Sequence, residues 1–208
     1  MKLANLLGGP ADFQEPLLWL QRKEIYNGEL KANRLRMIGL AIFAVNELIN
    51  YHWLHVVDKR FHTGSLLLIA LWFVAACIFG ILLRYHFIPK RAPYLVASVD
   101  ILLLTWFLFF ADGPKSPLVG VYFLIVALSG IRLNPIVTLF TSGSAVVGYL
   151  AVLEFTKRQR PEFLVPVFHA VIVIICLLLM GVIIAHLTSR VLSLLSEQMK
   201  KSSSARHG

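Results

Sequence analysis

The sequence predicts an all-α integral membrane protein, a bundle of six transmembrane helices with its N- and C-termini on the cytoplasmic side. Three observations carry that expectation. Of 208 residues, 58% are hydrophobic and only 15% charged, with a mean hydropathy of +0.74, whereas a soluble domain is about 25% charged. The apolar residues gather into six stretches of the length that crosses a hydrocarbon core. The basic residues fall in short runs between those stretches and are unevenly shared between the two sides.

Residues 1–34 read as a polar cytoplasmic segment, in which Pro16, Leu17, Leu18, Trp19 and Leu20 open a short interfacial helix with Arg22, Lys23 and Glu24 on its polar side. The transmembrane domain covers 35–189. Its spans run over Leu35–Val57, Gly64–Leu83, Pro93–Ala111, Ser116–Leu133, Pro135–Phe155 and Phe163–Ser189. Pro93, Pro117 and Pro135 stand at or near span starts, where a missing N–H costs nothing. Short polar connections such as Asp112-Gly113-Pro114 and Asn134-Pro135 make neighbouring helices antiparallel. The last span exceeds what the hydrocarbon needs, so it tilts or projects. Residues 190–208 read as a helical extension, with Val191, Leu194, Leu195 and Met199 in a stripe suited to pairing or to the membrane surface, and a disordered tail after Lys200.

Orientation follows from the cations. With the N-terminus inside, the inner segments hold Lys2, Arg22, Lys23, Lys31, Arg34, Arg36, Arg84, Lys90, Arg91, Arg132, Arg190, Lys200, Lys201 and Arg206. The outer loops hold Lys59, Arg60, Lys115, Lys157, Arg158 and Arg160. Fourteen against six places both ends in the cytoplasm of a bacterial inner membrane. The same distribution explains the net charge of +9 by topology and argues against a nucleic-acid partner. Cys77 and Cys176 both lie in apolar stretches and read as packing residues.

Ionisable groups inside a span are costly, so each is a candidate site. Asn46, Glu47 and Asn50 lie near the middle of the first span, Asp100 in the third, and His169 near the outer side of the sixth. Glu47 and His169 fall within roughly 6 Å of each other along the membrane normal, so a buried Glu–His pair is one expectation, as a ligand, proton or metal site. The plainer alternative is a polar cluster that fixes helix packing through interhelical hydrogen bonds. Asp100 is either neutral in the bilayer or paired with Arg84 or Arg132 at the inner boundary, and the pairing is the preferred expectation. His52, His55 and His62 cluster too loosely in sequence to specify a metal, and His186 reads as a helix-contact residue. Thr141, Ser144, Ala145 and Gly148 give the fifth span a face of small residues that permits close helix approach, within this chain or with another.

No phosphate-binding glycine loop, nucleophile elbow, zinc spacing or interrupted transporter repeat is visible, so the reading is non-enzymatic and requires no cofactor. The runs VNELINYHWLHVVDKRFHTG, APYLVASVDILLLTWFLFFADGPKSPLVGVYFLIVALSGIRL and LVPVFHAVIVII resemble the N-terminal six-helix module of bacterial signalling proteins that carry a class III adenylate or guanylate cyclase domain, or sometimes a kinase domain. The resemblance covers roughly residues 30 to 190. It implies that Glu47, Asp100 and His169 fall on the module's polar landmarks and that the sixth span passes a signal to a helical linker. The chain stops at Gly208, where that linker would begin, and has no metal-binding aspartates of a cyclase core, so the sensory or anchoring part alone is implied. The expected function is a membrane sensory or anchoring module that associates with itself or with other membrane proteins. The alternative is a structural subunit of a photosynthetic or respiratory complex in contact with lipid, quinone or pigment. A small transporter fits less well, because the charges form no continuous path.

Overall fold

The computed structural model describes residues 11–53, 59–85 and 91–204, and among them every regular element is helical. Six α-helices follow in order: α1 Ala11–His52, α2 Lys59–Arg84, α3 Ala92–Phe110, α4 Gly120–Gly130, α5 Pro135–Gln159 and α6 Val167–Ser204. Single 3-10 turns sit at Gly113–Lys115, Pro117–Val119 and Pro161–Phe163. Four segments are long and apolar enough to cross a membrane: Phe61–Arg84, Ala92–Phe110, Pro135–Gln159 and Val167–Leu194. This is a membrane protein.

The two remaining helices depart from the expected spans. The interfacial helix and the first span are one continuous α1 of 42 residues, whose charges keep it below the hydropathy of the other four. The fourth span is shorter than expected, because Pro117–Val119 winds as a 3-10 turn and α4 itself has 11 residues. Its end is abrupt: Leu133 adopts a left-handed φ of 52°, and Asn134 then caps α5 by accepting from the N–H groups of Ile136 and Val137. Pro135 follows at the first helical position, as expected. At the C-terminus α6 continues without a break to Ser204, so the helical extension is part of the sixth helix and the start of the expected disordered tail is helical; residues 205–208 lie outside the described residues.

The helices alternate in direction, and cross-links define two ends. At the end where α1 turns into α2, α3 into α4 and α5 into α6, Lys115 donates to the Glu162 carbonyl at 2.7 Å, and Arg160 reaches the carbonyls of Phe110 and Ala111 at 3.4 and 3.3 Å. Gly113, with φ +55°, lets its backbone lie against Thr156, where a Cβ would come 2.6 Å from the Thr156 hydroxyl. At the opposite end, here called the terminal end, Arg132 donates to the Pro93 carbonyl at 2.8 Å, and Gly28 of α1 lies on the backbone of Ile131.

The interior is built mainly from α3, α4, α5 and α6 around Leu104, Leu108, Tyr122, Val126, Ala145, Tyr149 and Leu177. Lipid tails are as apolar as leucine, so close packing and interhelical hydrogen bonds hold such an interior together. The small-residue face of α5 serves this purpose within the chain. Thr141, Ala145 and Gly148 are buried and Ser144 is half-buried. A Cβ at Gly148 would lie 2.7 Å from the Thr105 hydroxyl of α3 and 3.0 Å from the Tyr122 hydroxyl of α4. Six residues earlier Ser142 donates to the Leu177 carbonyl of α6 at 2.8 Å, with Gly181 directly against it.

Candidate functional site: two buried ionic clusters

The polar residues of α1 that face the bundle sort into two groups, one at each end. Near the terminal end, Glu29, Asn33 and Arg36 are spaced by four and three residues and share one helix face. All three are buried. Arg36 bonds Asp100 of α3, Nη2 to Oδ2, at 2.9 Å, and its other nitrogen donates to the Asn33 side chain at 3.1 Å. Asn33 in turn donates to the Ala76 carbonyl of α2 at 3.2 Å. The second Asp100 oxygen accepts from the indole N–H of Trp72 at 2.8 Å. The guanidinium of Arg36 also stands 5.9 Å from the centre of the Phe79 ring.

A second pair lies beside it. Arg132, just past α4, approaches Glu29 at 3.3 Å, with both side chains no more than 5% exposed. Burial pushes the Glu29 carboxyl above the ordinary carboxylate range, and the Arg132 guanidinium pulls against that shift. The two carboxylates and two guanidinium groups cancel, so the cluster has no net charge to offer an ionic ligand. It ties α1 to α3 through a charge-assisted bond and to α2 through the Asn33 amide, and it draws the α4–α5 turn to α1 by the electrostatic contact of Arg132 with Glu29, which is not a hydrogen bond.

The other cluster sits where α1 turns into α2. Glu47 accepts from His62 Nδ1 at 3.3 Å, with both side chains at most 10% exposed. Tyr51 stacks on the His62 ring, the centroids 3.8 Å apart and the planes 6° from parallel. His52 meets His62 edge to face at 6.1 Å. Among the described residues, no three His, Cys, Asp or Glu side chains converge to hold a metal ion. His55 lies outside the described residues.

Of the sequence candidates, Glu47 and Asp100 are buried and paired, but each with a partner other than the expected one. Asp100 takes Arg36 in place of Arg84 or Arg132. Glu47 takes His62, and His169 stands exposed on the outside of α6. The asparagines do not turn inward together, since Asn46 is exposed and Asn50 half-buried. Arg36, Trp72 and Glu29 complete the first cluster and are not singled out as site residues by the sequence, while Arg132, expected beside Asp100, lies against Glu29. The stripe Glu29–Asn33–Arg36, ending on the second residue of the first apolar stretch, is the signal that points to the α1 members.

Between α1, α2, α3 and α4 a crevice of about 20 Å³ is walled by Leu40, Phe43, Trp72, Leu104 and Phe107, with Leu118 and Val121 closing it. It is about the size of one water and has no polar wall, so it is a packing gap rather than a ligand site. No family model, no curated protein and no solved structure matches this chain.

Proposed function

We propose that the chain is a non-enzymatic sensory or anchoring module of the bacterial inner membrane, crossing it six times with both ends in the cytoplasm and associating through α6 with a second copy or with other membrane proteins. One observation carries the reading. Within the apolar stretch of α6 the most hydrophobic 18 residues are 17% buried, against 44% for the corresponding parts of α3 and α5, so most of its surface faces away from the bundle. That stretch is 28 residues long, about 42 Å of helix, whereas the hydrocarbon core is about 30 Å thick. A tilt that hid the excess would exceed the usual range of about 40°. Its outer face also carries His169, Cys176 and His186, all exposed, and a histidine facing acyl chains is costly. A protein partner along α6 covers both the excess length and the histidines.

The six-pass arrangement is supported by the pairing of charges in α1. Arg36 is paired with Asp100 and Glu47 is hydrogen-bonded to His62, which lowers the cost of holding α1 within the bilayer.

The test is purification of the full chain in mild detergent, with its mass measured by light scattering and its native Cys176 offered for oxidative cross-linking. A defined homo-oligomer, or a fixed ratio to one membrane partner, that dissociates on Leu179→Trp or Ile183→Trp supports the reading. A monomer at every concentration, with no retained partner, refutes it. Retention in a pigmented or quinone-containing assembly of several subunits selects the complex-subunit alternative.

A further inference from the structure

The acidic and basic residues of the terminal end are segregated by depth. The described acids there, Glu29 and Asp100, are buried and each is matched by an internal arginine, Arg132 or Arg36. The remaining described cations, Lys31, Arg34, Arg84, Arg91 and Arg190, are all exposed. They therefore form an outer shell that no described carboxylate at that level offsets. Glu197, the nearest exposed acid along α6, lies seven residues past Arg190, about 10 Å further from the bundle.

The contacts gather these five cations within about 9 Å of one plane. Gly28 lies against Ile131 and Arg132, and Gly130 against Ile184 and Thr188, which aligns the start of the α1 face with the stretch of α6 before Arg190. Phe79, Leu83 and Ala92 pack together with Tyr26 and Val96, which brings the end of α2 and the start of α3 to the same height. Arg84, Arg91 and Arg190 are then within a few residues of that plane, and Lys31 and Arg34 lie about 5 to 9 Å deeper along α1, within reach of flexible cationic side chains that extend along a helix toward headgroups. Exposed apolar residues adjoin the ring on the bilayer side, among them Ile38, Ile81 and Leu95, and Tyr85 stands 78% exposed next to Arg84. An aromatic ring at that depth suits the headgroup layer.

The opposite end has no such segregation. Its exposed Lys59, Lys115, Lys157 and Arg158 are interspersed with exposed Asp112, Glu154 and Glu162, and Arg158 is bonded to Glu154 at 2.7 Å.

We infer that the cationic ring at the terminal end binds anionic phospholipid headgroups and gives this protein a selective anionic lipid shell on that leaflet. Charge complementarity sets the partner: five exposed cations at headgroup depth, with the local acids sequestered inside, match phosphate-bearing headgroups of net negative charge and gain little from zwitterionic ones. This holds whether α6 pairs with a second copy or with another protein.

The experiment reconstitutes the full chain in phosphatidylcholine vesicles containing a trace of spin-labelled phosphatidylglycerol or spin-labelled phosphatidylcholine, and compares the motionally restricted fraction of each. The expected result is an association constant for phosphatidylglycerol about threefold or more above that for phosphatidylcholine. It falls towards equality in about 1 M salt, where the screening length shrinks to about 3 Å, and in the variant Lys31→Gln, Arg34→Gln, Arg84→Gln, Arg91→Gln, Arg190→Gln. The matching variant at the other end, Lys59→Gln, Lys115→Gln, Lys157→Gln, Arg158→Gln, keeps the preference. Equal restriction of the two lipids in the unaltered protein at low salt overturns the inference, as does a preference that salt leaves unchanged or that the second variant abolishes. The salt series uses the unaltered protein, so the result does not depend on the five-site variant folding.

Discussion

Arg36 of α1 and Asp100 of α3 meet at 2.9 Å in the interior of a membrane protein, each side chain 9% exposed, with Trp72 completing the carboxylate's hydrogen bonds. Removing one partner of such a pair strands the other charge in a medium that cannot solvate it, at a cost of about 3–5 kcal/mol. Asp100→Asn and Arg36→Gln are each expected to destabilise the detergent-solubilised protein by that order. The double variant should lose clearly less than the sum of the two, because neither charge is then left alone. Thermal unfolding followed by near-UV circular dichroism measures all three. Trp72→Phe removes the indole donor together with part of a buried ring and should cost at least about 1.5–3 kcal/mol, the range for a hydrogen bond to a charged group.

At the opposite end of α1, Glu47 is bonded to His62, and His169 is out on α6. A double-mutant cycle on Glu47→Ala and His62→Ala should return a coupling of about 1–3 kcal/mol, as for residues in direct contact. The cycle on Glu47→Ala and His169→Ala should return nothing beyond about 0.5 kcal/mol, the scatter for independent sites. A coupling between Glu47 and His169 comparable to the first would contradict the pairing described here.

Helix α5 contains two glycines in opposite situations. Gly148 is buried with hydroxyls of α3 and α4 closer than a methyl group tolerates, and nothing lies within 4 Å of where a Cβ at Gly143 would stand. Gly148→Ala should therefore destabilise by about 1–3 kcal/mol through overpacking. Gly143→Ala should be neutral or stabilising by up to about 1 kcal/mol, since alanine loses less backbone freedom in a helix. The melting temperatures of the two variants should move in opposite directions or only the first should move.

Two tyrosines in the core behave differently for a chemical reason. Thr105 donates its hydroxyl hydrogen to the Ile101 carbonyl at 2.7 Å, so the 2.7 Å contact between Thr105 and Tyr122 has the tyrosine as donor. The hydroxyl of Tyr149 is buried with no hydrogen-bond partner among the described residues. Tyr149→Phe removes an unsatisfied group and should leave stability unchanged or raise it. Tyr122→Phe removes a made bond and should lower it by about 0.5–1.5 kcal/mol. A larger loss in Tyr149→Phe than in Tyr122→Phe would contradict this assignment.

The long apolar helices and their starts were legible in the sequence, because hydropathy and proline position are local properties. Pro93, Pro117 and Pro135 stand in the first turns of helical segments, and Asn134 caps α5. The pairing of charges was not legible, because it depends on how helices rotate against one another. Arg36 sits at the edge of an apolar stretch, where an arginine ordinarily marks the membrane boundary, and here it turns inward to Asp100. His62 belongs by sequence to a polar connection, but α2 begins at Lys59 and carries His62 into the bundle within its first turn, opposite Glu47. The length of α4 was hidden for a related reason. Its apolar composition begins before the helix does, and the Pro117–Val119 turn consumes those residues.

That brevity bears on how the protein is made. With 11 residues, or 14 counting the turn at Pro117, α4 covers about 16–23 Å, too little to partition into lipid as an independent segment leaving the translocon. Inside the finished bundle it needs no such capacity, because Val121, Tyr122, Ile125 and Val126 are buried against its neighbours and Leu124 is its one strongly exposed large side chain. In the six-pass arrangement proposed above, α4 therefore inserts cooperatively, entering with α5 as half of a helical hairpin. A nascent chain arrested before α5 has emerged should leave residues 117–130 on the aqueous side.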